Sequence, residues 1–360
     1  MRKGVALICP FAAALTLAMS AVSAGADVIL LDKEYDFGLM KEVAGPITGY
    51  ARLYNAGPDT ISVLDVKPSC GCTSAGFPEA PMAPGDTARI SFTYDPAMRP
   101  GRFLKSVKIL FSDNSRKTVY ISGNVLGTPE SLQVLYPVDA GRLRLTDYMV
   151  DFGVLNMGRT ATHFVNAYVL SPDSVQPVVT IPREGLTVTP SVGKAGPGDI
   201  VTYSLVYDTG AAKNYGPVQI PVQFSASPSE PGATVSVKAE VIPDARMLSI
   251  MQKGKSPVAN LTADFTDLGN VPESGNITFS IEVENSGNAP LHILKAYSNS
   301  EAFSFSKLPA EIKKGKRKAI EITADAALLP AGPSQNQIYI LTDDPQRVKM
   351  QARVASLKKP

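Results

Sequence analysis

Ser69-Cys70-Gly71-Cys72-Thr73 is the one segment whose residue types and spacing could do chemistry. The third cysteine, Cys9, sits inside an apolar N-terminal stretch. On an extended chain, positions i and i+2 point the same way. Both sulfurs would then share one face, with Gly71 free to bend between them. Four readings follow. The thiols are small buried residues, or they close a tight local disulfide. As thiolates they could hold a soft metal such as Cu(I) or zinc, although two ligands leave a tetrahedral site incomplete. Or they pair with a partner protein. Cys70 and Cys72 are therefore the candidate redox pair and the candidate metal ligands, and no other cofactor site is expected.

Other motifs carry less. Asp36-Phe37-Gly38 matches the magnesium-binding triplet of protein kinases, but no glycine-rich phosphate loop and no His-Arg-Asp segment accompany it. It reads instead as a strand end, with Phe37 in an apolar core and Gly38 making the turn. The Lys313-Lys314-Gly315-Lys316-Arg317-Lys318 run reads as a solvated turn. The two histidines, His163 and His292, lie too far apart in sequence to serve one module. No serine or cysteine has a histidine and carboxylate assigned to it by a motif, so catalysis by a nucleophile has no support and the chain reads as a non-enzyme.

The elements that must position these residues repeat. Asp36-Phe37-Gly38 returns as Asp151-Phe152-Gly153, an offset of 115, and as Asp267-Leu268-Gly269 after 116 more. Pro84-Gly85-Asp86 returns as Pro197-Gly198-Asp199, with Lys314-Gly315-Lys316 at the third place. Tyr94-Asp95 matches Tyr207-Asp208 and Ala324-Asp325, and Asn55-Ala56-Gly57 matches Asn285-Ser286-Gly287. Between these landmarks apolar residues alternate with period two, as in half-buried strands. Ile90, Phe92 and Tyr94 have counterparts in Tyr203, Leu205, Tyr207 and in Ile320, Ile322, Ala324.

No stretch of convincing length shows helical period. Roughly seven short strands per repeat, with Gly, Pro and Asn turns, predict an all-β chain of three tandem immunoglobulin-like β-sandwiches. The modules are read as 25–128, 129–244 and 245–360, with junctions near Gly127-Thr128-Pro129 and Pro243-Asp244. Connections so short suggest a semi-rigid row.

Arg2 and Lys3, an apolar run to Met19 and the small residues Ser20 to Ala24 have the layout of a signal peptide at 1–24, cleaved after Ala24. The apolar run is short for a membrane span. Cleavage would leave 33 basic against 33 acidic residues, a surface with no overall pull on nucleic acid. The mature chain, with no later apolar span, is expected in the periplasm or at the cell surface.

The order Asp36-Phe37-Gly38, Asn55-Ala56-Gly57, Ser69-Cys70-Gly71-Cys72-Thr73, Pro84-Gly85-Asp86, Tyr94-Asp95, Pro100-Gly101-Arg102-Phe103, Gly123-Asn124-Val125 resembles the bacterial domain of unknown function 1573 family. That family is similar to the immunoglobulin-like modules of Hydin and other ciliary proteins. The resemblance covers roughly residues 27 to 127, and the later repeats share turns and strands without the cysteines. It implies an exported envelope protein and no particular activity. The expectation is a binding or scaffold protein that takes a protein, peptide or glycan partner at sandwich edges or end loops. The alternative is a thiol-redox or soft-metal protein acting through Cys70 and Cys72.

Overall fold

The structure is a computed structural model that describes residues 27–181, 185–306 and 308–359; the leader read at 1–24 lies outside the described residues. Contacts divide the described chain into two units. One runs to Ala97 and adds Phe103–Asn124; the other holds Met98–Arg102 and everything from Val125 onward.

The first unit is built from strands β1 (Val28–Leu30), β2 (Glu34–Lys41), β3 (Ile47–Asn55), β4 (Val63–Pro68), β5 (Thr73–Gly76) and β6 (Thr87–Tyr94), with β7 (Gly101–Phe111) from Phe103 on and β8 (Arg116–Leu126) as far as Asn124. They form two four-stranded sheets, β1-β3-β6-β5 and β2-β8-β7-β4. The period-two pattern does what it should. Ile90, Phe92 and Tyr94 of β6 are buried, while Ser91 is exposed. Ile90 and Phe92 fill the space between the sheets with Leu53, Ile109, Phe111 and Ile121. Burying side chains of this size contributes about 1.5–3 kcal/mol each.

In the second unit, β9 (Val138–Ala140), β10 (Leu143–Leu145), β11 (Met149–Asn156), β12 (Thr160–Val169), β13 (Val178–Thr180), β14 (Leu186–Pro190), β15 (Ile200–Asp208), β16 (Gly216–Ser225) and β17 (Ala233–Ile242) make module two. Module three holds β18 (Ala259–Leu261), β19 (Phe265–Val271), β20 (Asn276–Asn285), β21 (Ile293–Ser298), β22 (Phe303–Phe305), β23 (Arg317–Asp325), β24 (Gly332–Thr342) and β25 (Lys349–Lys358). Its sheets, β18-β20-β23-β22 and β19-β25-β24-β21, repeat the order of the first unit strand for strand. Module two does the same, with the hairpin strand β9 added beyond β10. The chain is therefore three β-sandwiches of one topology, as the repeats predict.

Strand counts exceed seven per module because strands of three residues, such as Val28–Leu30 and Ala259–Leu261, are too short to show alternation. Short helices also appear where none was expected. Helix α1 (Pro129–Leu135) starts on Thr128, whose hydroxyl accepts from Ser131 N–H, with proline in its first turn. After α2 (Thr209–Ala212), α3 (Ala245–Gln252) starts on Asp244, which accepts from Met247 N–H at 3.0 Å. With eight residues or fewer, these helices are too short for period alone to identify them.

Modules two and three touch directly. A Cβ on Gly216, where φ is +85°, would lie 3.3 Å from Lys295 Cγ and from Tyr297 Cδ1. Glu240 Oε1 accepts from both the Tyr297 hydroxyl and Lys349 Nζ. The Lys349 ammonium also stands 4.3 Å from the Tyr339 ring centroid.

Candidate functional site

Strand β4 ends at Pro68 and β5 begins at Thr73, so the cysteines occupy the turn between the two sheets of module one. The sequence reading put them on extended chain; the structure corrects this, because residues 69–72 are bend and turn. The sulfurs still meet, joined as a disulfide with Cα atoms 5.3 Å apart. Of the four readings, this is the one the structure adopts. Bonded to each other, the sulfurs are not thiolates, so metal binding would need the reduced pair. Among the described residues, no group of three or more His, Cys, Asp or Glu could complete a metal site.

Backbone and hydroxyl contacts hold the turn. Ser69 N–H donates to Ser106 O at 2.8 Å, and Ser106 N–H returns to Ser69 Oγ at 3.0 Å. Cys70 O accepts from Thr73 N–H at 3.3 Å and Cys72 O from Asp95 N–H at 2.9 Å. Thr73 Oγ1 lies 3.6 Å from Cys70 Sγ and 3.9 Å from Cys72 Sγ. Thr73 pairs with Tyr94, whose ring stacks on Phe103 at 3.8 Å, so the floor of the turn is packed core. Cys72 is 7% exposed, Cys70 is half-buried and Gly71 is exposed, with nothing within 4 Å of where a Cβ would stand.

The same turn recurs in module three without sulfur. There Ser300 O accepts from Phe303 N–H at 3.4 Å and Ala302 O from Asp325 N–H at 2.8 Å. Ser300 and Ala302 thus stand where Cys70 and Cys72 do.

The remaining motifs lie in strands and turns. Asp36, Asp151 and Asp267 each accept from the N–H of the glycine two residues on, at 2.9, 2.7 and 2.9 Å. Those glycines have φ of +66°, +66° and +62°. The triplet is expected at a strand end; it lies instead within β2, β11 and β19, and the pairing register breaks at it on β11 and β19. Phe37, Phe152 and Leu268 do pack on the cores as expected. Lys313 to Lys318 are exposed, and Gly315 N–H donates to Asn285 O as Gly85 N–H does to Asn55 O. His163 lies on β12 in module two, edge-on to Phe152. His292 lies in module three, with Nδ1 2.7 Å from Asp343 Oδ2.

Shifted ionisations trace to pairing or burial. The Arg52 guanidinium, 2.9 Å away, holds the Asp32 carboxyl down at about 2. Met247 N–H, then Arg159, lowers Asp244. Burial raises the Tyr203 hydroxyl, and burial followed by the Glu240 hydrogen bond raises Tyr297.

One surface was missed from sequence. Met157, Gly158, Arg159, Tyr215, Pro243 and Asp244 line a pocket of about 330 Å³ with Met247, Leu248 and Met251 of helix α3. On that helix Met247, Ile250 and Met251 are 47%, 60% and 70% exposed. Asp244 followed by apolar residues three, four, six and seven positions on was the available signal, an N-cap and one helical face.

Comparison with known proteins agrees with the fold. Residues 29–125 match the family model "Protein of unknown function (DUF1573)", and residues 257–354 match the HYDIN/CFA65/VesB-like, Ig-like domain. No curated protein matches the chain. Among solved structures, a protein of unknown function from Porphyromonas gingivalis W83 is 16% identical, with 60% of this chain and 100% of that one covered and a TM-score of 0.47. The secreted serine protease VesC from Vibrio cholerae is 13% identical over 56% of this chain and 50% of its own, with a TM-score of 0.28. A PapD-like domain of human CEP192 is 12% identical over 29% and 86%, with a TM-score of 0.24.

Proposed function

We propose that the protein is an exported, non-enzymatic binding or scaffold protein of the bacterial cell envelope. It takes a protein or peptide partner at the surface formed by helix α3 and the neighbouring end of module two. The observation that carries this is the exposure of Met247, Ile250 and Met251 around the pocket lined by Met157 and Tyr215. Exposed apolar side chains gathered at one place, with polar residues at the rim, mark interaction sites. Methionine suits such a surface because it adapts to its partner. The paired Arg159 and Asp244, 3.1 Å apart, supply that rim.

Strand addition at the sheet edges is the poorer route. β1, β9, β13, β18 and β22 are edge strands of three residues, the longest edges β2, β11 and β19 carry the Asp-x-Gly triplet, and the six-residue edges β4 and β21 break register near their starts. Short or bulged edges resist pairing with another chain.

Among the described residues no helix is long and apolar enough to cross a membrane. Export rests on the leader read at 1–24. Its test is fractionation with the N-terminal mass; cleavage after Ala24 is expected, and an uncleaved chain in the cytosol overturns it. Binding is tested with the mature chain on beads against envelope extract, beside a Met247→Ser, Met251→Ser variant. A partner held by the parent and lost by the variant, at unchanged melting temperature, supports the reading. Equal retention, or none by either, overturns it.

A further inference from the structure

We propose that the Cys70–Cys72 disulfide is a thiol–disulfide exchange site, opened by a partner dithiol that attacks the Cys70 sulfur. This goes beyond the binding reading and does not depend on it.

The turn does not need the bond. Module three closes it with Ser300 and Ala302, where a hydrogen bond from Ala302 N–H to Ser300 Oγ at 3.3 Å stands in for the sulfur bond, and both backbone hydrogen bonds match their module-one counterparts to within 0.1 Å, 3.4 against 3.3 Å and 2.8 against 2.9 Å. A bond across two residues also constrains the unfolded chain far less than one that closes a long loop. A staple would join distant strands; this one joins neighbours on a turn already held by backbone.

Access and asymmetry point to Cys70 as the sulfur attacked. Cys70 is half-buried, and its neighbour Gly71 is exposed, with nothing within 4 Å of where a Gly71 Cβ would stand. Cys72 is 7% exposed against the core, placed to leave rather than to be struck. Displacement at a disulfide breaks the bond opposite the incoming sulfur, so attack on Cys70 makes Cys72 the leaving thiolate. The Thr73 hydroxyl, 3.6 Å from Cys70 Sγ and 3.9 Å from Cys72 Sγ, stands within reach of either sulfur and so does not choose between them.

In the first step a partner thiolate attacks Cys70 Sγ. A partner–Cys70 S–S bond forms, the Cys70–Cys72 bond breaks, and Cys72 leaves with the electron pair and takes a proton. The partner's second thiol, losing its proton, then attacks its own bridging sulfur and releases Cys70, which is protonated in turn. The protein disulfide gains two electrons and two protons, and the partner dithiol becomes a disulfide.

The test uses the mature chain with reduced glutathione as the thiol, read by alkylation and intact mass. Reduction is expected across glutathione buffers while the circular dichroism spectrum and melting temperature stay unchanged. The Cys72→Ser variant is expected to form a mixed disulfide with oxidised glutathione at Cys70 about tenfold faster than Cys70→Ser does at Cys72, in line with access. The Cys70→Ser, Cys72→Ala double variant copies module three and should melt with the parent. A bond that opens only on unfolding, or a double variant that fails to fold, overturns the proposal. So does equal reactivity of the two single variants.

Discussion

Asn55 and Asn285 are fully buried side chains that hold the same turn in two modules. The Asn55 amide donates to Asp59 O at 2.8 Å and Met82 O at 3.0 Å, and its Oδ1 accepts from Gly57 N–H at 3.1 Å. Asn285 repeats the set with Ala289 O, Ile312 O and Gly287 N–H, at 2.7, 2.9 and 3.0 Å. Module two has Val169 at this register, and there Ser171 Oγ accepts from Asp173 N–H instead. Replacing Asn285 with alanine strands buried backbone groups, so Asn285→Ala should cost about 3 kcal/mol in urea unfolding. A loss under about 1 kcal/mol would mean that the turn holds without the amide.

Asp32 gives a pH-dependent companion. Its carboxyl is depressed to about 2, so its pairing with Arg52 stabilises above the ordinary carboxylate range and is lost as pH falls from about 4 toward 2. The Arg52 side chain is 51% exposed, which keeps the effect small. Asp32→Asn should therefore lower the urea midpoint equally at pH 7 and pH 5, and less at pH 3. A deficit that grows on acidification would overturn this assignment.

At the scale of strands, the Asp-x-Gly triplet shows both what the sequence reveals and where it stops. Its recurrence located all three sandwiches, and its glycine announced a special backbone angle. What it hid was continuation of the strand. Val154, Leu155 and Asn156 resume parallel pairing with β17 after the register breaks at Asp151, and β19 breaks the same way after Asp267. A local triplet cannot show that pairing resumes, because the partner strand lies more than 80 residues away. The bulge has a physical use on β11 and β19, which are both edge strands, since it twists the edge away from other chains. Nothing lies within 4 Å of a Cβ on Gly153, so the cost of Gly153→Ala is purely conformational. It should be about 1–2 kcal/mol in urea unfolding, the usual penalty for an L-residue in the left-handed region. Gly153→Asn should lose less, because asparagine tolerates that region; an equal loss would place the cost in packing.

At the scale of the molecule, three sandwiches were legible because repeats and alternation are local signals. The joined cysteines were legible only as one of four options, since spacing cannot say whether two sulfurs bond. Contact between modules two and three was not legible at all. Glu240 meets Tyr297 and Lys349, 57 and 109 residues further along, and no motif marks any of them. Yet this contact decides whether two modules unfold as one. Tyr297 and Lys349 converge on a single carboxylate oxygen, and the Glu240 and Lys349 side chains are only 23% and 30% exposed. A charged acceptor with two partners in such a setting contributes about 1.5–3 kcal/mol per hydrogen bond. Further coupling comes from Gly216, whose lack of a side chain lets Lys295 and Tyr297 approach, and from helix α3, where the Gln252 amide donates to Asp343 O at 2.7 Å. Calorimetry of the parent should therefore show modules two and three melting in one transition. Glu240→Ala should broaden or split that transition, while Glu240→Gln, which still accepts from Tyr297, should fall between the two. If Glu240→Ala melts as sharply as the parent, the close approach at Gly216 and helix α3 carry the coupling, and the carboxylate only decorates it.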